Sequence, residues 1–350
     1  MRTGLPVTAL EVGIIPDKLR WYHEKFSSSG GFLPSGDFFG SDFIKTLVTG
    51  GTVFVSRYTA EYFVKRGHEV YVLNRNTRPQ SKGVKLIDCD KHNIGDRLKN
   101  IYFDLIIDVT AYNETDVQDI LNALDGFGDY IMISSSAVYP ETNPQPFSEE
   151  QECGFNIYWE DYGTNKINAE KYLLNKVPNA YIIRPPYLYG KMNNLYRKAF
   201  VFECAEKNLP FFVPDNKEMK LQFFDIEDLC IFIEKIITNK PENHIFNVGN
   251  PETISIEEWV RLCYRIIGKI PDIRCIQPEI NQRLYFPFRN YEYVLDVTRQ
   301  TKIMPTVKPL EIGLKQSYDW YKNNRELIVR KDYLQYIKNS MQRRLYNDNF

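Results

Sequence analysis

The chain is short of the features that would assign a class at once. Among 350 residues only four are histidine, and the six cysteines (Cys89, Cys153, Cys204, Cys230, Cys263, Cys275) never stand as Cys-x-x-Cys. Cys89 has His92 close by, but no second pair joins them, so no metal site is expected. Scattered thiols suit a reducing, cytoplasmic compartment. Neither charge sign is in excess: 44 Lys+Arg face 45 Asp+Glu, a net charge of −1. That disfavours a nucleic-acid binder working by bulk electrostatics. No apolar run approaches the roughly 18 residues of a membrane span. Glu11 interrupts the apolar stretch after Arg2, so no secretory signal is expected. Long repeats and low-complexity tracts are also missing.

What is present is regular alternation. The length suits two domains, or one large α/β domain with a smaller lobe. Ile44–Thr49 is a short apolar run ending in Gly50-Gly51, which reads as a buried strand and a turn. Val53–Arg66 has helical spacing and stops at Gly67. Strands follow at Glu69–Asn74, Val84–Asp88, Phe103–Val109, Tyr130–Ser134 and Ala180–Arg184. Helices are expected over Thr115–Leu124 and about Tyr158–Lys176. Strands alternating with helices imply right-handed βαβ units and a doubly wound, mainly parallel sheet, which binds ligands at the carboxyl ends of its strands. After Arg184, Pro185-Pro186, Pro210, Pro214, Pro241 and Pro251 punctuate shorter elements, with helices over about 226–239 and 255–268. Residues 1–44 read as an arm with Gly-containing turns and one short helix near 16–26, without an assigned role.

The turn Thr49-Gly50-Gly51-Thr52-Val53-Phe54-Val55-Ser56 lies where backbone amides and a helix N-terminus can face a pyrophosphate. Three glycines are wanted there, and only the first place is clear. Val53 fills the second and Ser56 the third. The acidic residue that would hold ribose hydroxyls after the second strand is missing. Asn74 stands there with Arg75 next, and an arginine suits a 2′-phosphate, so NADP is favoured over NAD. The alternative is a solvated loop over Arg75–Arg78.

Tyr-x-x-x-Lys occurs four times, at Tyr162/Lys166, Tyr172/Lys176, Tyr187/Lys191 and Tyr318/Lys322, in a chain with 24 tyrosines. Placement decides between them. Only Tyr162/Lys166 opens the helix after strand five, which ends in Ser134-Ser135-Ser136. Residues four apart share a helix face, so Lys166 can lie below Tyr162. An ammonium there, with a nicotinamide cation, would lower the phenol's pKa and make it a general acid or base. The alternative is an amphipathic helix with tyrosine as core and lysine as solvated face.

These stretches, with Ile183-Arg-Pro-Pro-Tyr-Leu-Tyr-Gly190 and Ile245-Phe-Asn-Val-Gly249, resemble the extended short-chain dehydrogenase/reductase family, the NAD(P)-dependent epimerase/dehydratase group. The likeness runs from about Thr46 to Asn323. The Gly-Gly-Thr-x-Phe form resembles an atypical branch. The resemblance implies a Rossmann-like domain over 45–185 and a substrate-binding lobe over 186–330 with segments returning to the sheet. Residues 331–350 are left as a tail. It implies Tyr162 as acid/base, Lys166 on the nicotinamide ribose and Ser135 as the catalytic serine. The cofactor would also meet Gly50, Gly51, Thr52, Val53, Phe54, Asn74, Arg75, Asp90 (at the adenine), Thr110, Ala111, Ser134 and Pro185. Ser136, Tyr187, Asn194 and Arg289 are the expected substrate contacts, an arginine suiting phosphate through its planar fork.

Relatives of the dehydratase type carry Asp-Glu where Ser136 and Ala137 stand, so dehydration is disfavoured. Epimerisation or reduction of a nucleotide-sugar remains, with a possible homodimer through two long helices. A second hypothesis is a binding or regulatory protein on the same scaffold, for RNA or a nucleotide, without turnover.

Overall fold

The computed structural model describes residues 43–341. The segment 1–42 and the last nine residues lie outside that range, and with them the expected N-terminal helix. Among the described residues no helix is long and apolar enough to cross a membrane.

Thirteen strands and eight helices of six or more residues make up the described chain. The strands are β1 (Lys45–Thr49), β2 (Glu69–Asn74), β3 (Val84–Asp88), β4 (Phe103–Asp108), β5 (Phe127–Ile133), β6 (Tyr181–Arg184), β7 (Tyr187–Tyr189), β8 (Phe211–Pro214), β9 (Lys220–Leu221), β10 (Phe223–Asp225), β11 (Ile245–Asn247), β12 (Ile254–Ser255) and β13 (Ile273–Ile276). The helices are α1 (Phe54–Lys65), α2 (Glu114–Ala123), α3 (Asp161–Lys176), α4 (Lys198–Glu206), α5 (Ile226–Asn239), α6 (Ile256–Ile266), α7 (Thr298–Ile303) and α8 (Leu310–Lys322).

Seven strands form one parallel sheet in the order β11-β6-β5-β4-β1-β2-β3. Its central strands are buried on both faces, which is why they read as continuous apolar runs. Val117, Ile120, Ala169 and Leu173 from α2 and α3 pack on Leu47, Leu73, Ile106, Met132 and Ile182. On the other face α1 packs with α5, where the Tyr62 hydroxyl donates to Glu234 at 2.7 Å. The strand order reverses between β1 and β4, and that crevice is where a doubly wound Rossmann-like sheet takes ligands.

Two expected boundaries move by three residues. Strand five starts at Phe127 rather than Tyr130, because Gly128 belongs to it. A Cβ there would come within 2.4 Å of the Asp104 carbonyl, so the glycine allows close strand approach rather than marking a turn. The third helix starts at Asp161 rather than near Tyr158, since Glu160 has a left-handed φ of 49°.

The second half supplies α5 and β11 to the sheet and builds a lobe from the rest. The lobe core is aromatic: Phe200, Phe202, Phe211, Trp259, Phe286 and Phe288 are buried in one cluster. Helix α6 covers it, started by a capping box in which Ser255 and Glu258 satisfy each other's backbone amides.

Candidate active site

The rim of the sheet is held by buried Asp108 at the end of β4. It accepts from the Thr49 hydroxyl at 2.7 Å and from the Tyr130 hydroxyl at 2.6 Å. Thr49 in turn accepts from the amides of Val109 and Thr110 at 2.9 and 3.0 Å. One carboxylate thus ties together the ends of three neighbouring strands, where the glycine turn leaves the sheet.

Gly50 and Gly51 have φ of 91° and 96°. A Cβ on Gly51 would lie 2.5 Å from Val72, so the turn can press on β2 only as glycine. Ser56, in the place of the third glycine, has its hydroxyl 2.8 Å from where a Gly50 Cβ would stand and donates back to Val53 O at 3.1 Å. The Asn74 amide donates to Gly50 O at 2.7 Å, making the last residue of β2 a brace for the turn. Helix α1 has no side-chain cap at Val53 and no acidic residue in its first turn. Uncapped amides at a helix start suit an anion, so a dinucleotide pyrophosphate fits the turn Gly50–Phe54. Arg75 is 71% exposed and stands 3.9 Å from Asp90. Thr110 and Ala111 follow β4 at the same rim, Thr110 O accepting from Lys91 at 2.9 Å.

Ser135, Tyr162 and Lys166 are brought together. Ser135 leaves β5 and its hydroxyl accepts from Ala137 N at 3.2 Å. The Ser135 side chain bears on the Tyr162 phenol and lowers its pKa against burial. Helix α3 reaches this close because Gly163 has no side chain: a Cβ there would meet the Ala137 carbonyl at 2.4 Å. Tyr162 is 40% exposed, so its ring lies at the edge of the cleft. Lys166, one turn on, is buried and donates to the carbonyls of Ala111 at 2.7 Å and Ile133 at 3.0 Å. The ring of Tyr112 covers it at 5.0 Å.

The electrostatics differ from the sequence expectation. The Tyr162 phenol sits above its ordinary value of 10.0, because burial outweighs the Ser135 hydrogen bond and the Arg197 charge. Lys166 directs its protons to two carbonyls, and burial lowers its amine to about 8, against Asp108, Glu170 and Asp116.

A buried chain of polar groups underlies the site. Ser134 donates to Glu170, and Glu170 pairs with Arg184 at 2.5 Å. Arg184 donates to the Tyr139 hydroxyl at 2.8 Å, and Tyr139 donates to Asn247 at 2.8 Å. Ser134 therefore faces the helix that carries Tyr162 and Lys166. The Ser136 amide donates to Pro185 O at 3.0 Å, joining the turns after β5 and β6. The Ser136 hydroxyl bonds Tyr293, which also meets Tyr187.

On the lobe side, Arg289 stacks on Trp159 at 4.8 Å, and Trp159 lies 6.3 Å from Tyr162, ring to ring. Asn194 is half-buried in the loop after β7. Sequence reasoning missed Arg197 and Lys198. The Arg197 guanidinium lies 4.6 Å over Tyr187 and 5.8 Å from Phe288, and its charge bears on Tyr162. Lys198, 5% exposed, opens α4, which also lacks a cap. Among the described residues neither Arg197 nor Arg289 has an acidic partner. Adjacent cations at a helix start were the available signal.

Comparison with known proteins agrees with the fold that carries these residues. The chloroplast stem-loop binding protein of 41 kDa b from Arabidopsis thaliana is 25% identical over 300 residues, 79% of this chain and 78% of that protein. UDP-glucose 4-epimerase from Thermotoga maritima, solved with UDP-glucose, superposes with a TM-score of 0.66 at 16% identity, covering 81% of this chain and 100% of that one. dTDP-glucose 4,6-dehydratase from Bacillus anthracis, solved with NAD, gives a TM-score of 0.67 at 15% identity, with 81% and 98% covered. The model of the NAD dependent epimerase/dehydratase family matches residues 46–249, from β1 through β11, and the chain belongs to that family.

Proposed function

We propose that the chain is an NAD(P)-dependent enzyme that reduces a keto-sugar or epimerises a hydroxyl on a nucleotide-sugar. The observation that carries this reading is the gathering of Ser135, Tyr162 and Lys166 at the carboxyl rim of β5, where the Ser135 side chain bears on the Tyr162 phenol and Lys166, one turn on, donates to Ile133 O at 3.0 Å. A bound nicotinamide supplies hydride acceptance and return. The Gly50–Phe54 turn and the start of α1 hold the pyrophosphate, and Asp90 meets the adenine. Tyr162 takes or gives the proton of the reacting oxygen, and Ser135 hydrogen-bonds the same oxygen to fix its position. Arg197, whose charge bears on the phenol, and Arg289, over the neighbouring Trp159, supply positive charge suited to a diphosphate. Ser136 and Ala137 cannot serve as the acid/base pair of a dehydratase, so dehydration is disfavoured.

Tyr162→Phe removes the transferable proton and leaves the dinucleotide contacts in place. Turnover should fall by at least about a hundredfold, with NAD(P)H affinity by fluorescence titration unchanged; full activity would refute the acid/base role. Arg75 supports NADP through its exposed guanidinium. Arg75→Ala is expected to weaken NADPH about tenfold while NADH changes little. Equal effects on both would remove the 2′-phosphate assignment.

The likeness to a protein named for stem-loop binding favours a second reading, an RNA-binding protein without turnover. Titration with NADH, NADPH and an RNA hairpin separates the two: hairpin binding with neither dinucleotide bound would select the second.

A further inference from the structure

The segment after α8 has no part in the site described so far. The family-like stretch of sequence ends near Asn323, and the matched family model ends at residue 249. Yet residues 325–337 are fastened to the loop that carries Asn194 and Arg197, and to helix α4, which continues from it. The fastening has three kinds of contact. In the backbone, Val329 N donates to Asn194 O at 2.9 Å, and Leu195 and Val329 form a parallel bridge. In the aromatic layer, Tyr333 stacks on Tyr196 at 5.8 Å with 9° between the rings, and lies 5.1 Å from Phe200. In charge, Arg325 makes two 2.7 Å bonds to Glu206. Arg330 reaches Glu203 at 3.4 Å, and that carboxylate also accepts from the Tyr196 hydroxyl at 2.8 Å.

The segment is itself anchored, with Ile328, Tyr333 and Ile337 buried in the lobe core. The loop it grips is poorly self-supporting. It enters with Gly190 and Met192 at positive φ, 122° and 65°. Its internal bonds are those of Asn193, to Leu188 O and from Leu195 N, both 3.0 Å, and one backbone bond from Arg197 N to Leu195 O at 2.8 Å. Its last residue is Arg197, whose charge bears on Tyr162.

We propose that residues 325–337 are a strap that sets the position of the loop 190–197, so that substrate affinity is governed from outside the stretch shared with the family. The inference rests on the reading of Asn194 and Arg197 as substrate contacts. Nothing in it touches the dinucleotide turn, so the strap acts on one ligand and not the other.

The test uses the full chain with Arg325→Glu, Glu206→Arg, the two together, Tyr333→Ala and Tyr333→Phe. Amide exchange is followed at 193–197 and at 50–55, together with KM and kcat for UDP-glucose and the Kd of NAD. Arg325→Glu should speed exchange at 193–197 about fivefold to tenfold and raise KM by a similar factor. Exchange at 50–55, kcat and the NAD Kd should stay within about twofold. The double reversal should restore the loop, and Tyr333→Phe should behave as the parent where Tyr333→Ala does not. Unchanged loop exchange in both Arg325→Glu and Tyr333→Ala, failure of the double reversal to restore it, or a fall in kcat with KM constant would overturn the strap. If the parent protein does not turn over UDP-glucose, that counts against the nucleotide-sugar reading, and loop exchange with its rescue still decides the strap.

Discussion

Lys198 is a buried cation beside Arg197 whose titration bears on stability. Burial lowers its amine to about 7, Arg197 pushes the same way, and Asp225 and Cys263 oppose. In the unfolded chain the amine holds its proton to about 10.5. Between those values the unfolded state binds more protons, so this group makes stability rise with pH from about 7 to 10.5 and adds no slope outside that window. Lys198→Met keeps the length of the side chain and removes the charge. It should stabilise the protein at pH 7 by about 4 kcal/mol at most, the gain shrinking toward pH 10. Urea unfolding of both proteins at pH 7 and pH 9.5 measures this, and parallel pH profiles would disprove it. Sequence reading passed over Lys198 because Arg197-Lys198 looks like a solvated pair until α4 is seen to bury the second.

At the scale of elements, helix α3 is positioned by a residue that does no chemistry. Gly163 lets the helix approach the Ala137 carbonyl, and Tyr162 precedes it directly. Gly163→Ala forces a shift of the helix or of the Ser135–Ala137 turn. An error of about 1 Å at a reacting group costs on the order of a hundredfold in rate. The expected result is a kcat reduced about tenfold to a hundredfold with NAD binding retained; a kcat equal to the parent's would show that the helix tolerates the methyl. The site's main pair was legible because Tyr162/Lys166 is the one Tyr-x-x-x-Lys that follows strand five. The strands of the sheet were legible because both faces are covered and apolar runs mark them. The lobe strands β7 to β10, β12 and β13 were not, since elements of two to four residues have no measurable period. The start of α3 was misplaced because Glu160 takes a backbone conformation that its residue type does not announce.

For the whole molecule, the seven-stranded order with its reversal between β1 and β4 puts the glycine turn and the Ser135/Tyr162 pair on one rim. That much follows from alternation and motif placement. Pairings between distant segments do not, because neither partner carries a local mark of the other. Glu170 with Arg184 and Asn247 with Tyr139 are of this kind. The Asn247 side chain also donates to Phe147 O at 2.9 Å, and Phe147 is bridged to Leu295 in the lobe. The sheet and the lobe are therefore stitched at several widely separated points of the chain, with no lone connecting strand to bend about. A swing of the lobe as a rigid jaw would have to tear that seam, so the passage of ligands in and out falls to the short loops along the rim.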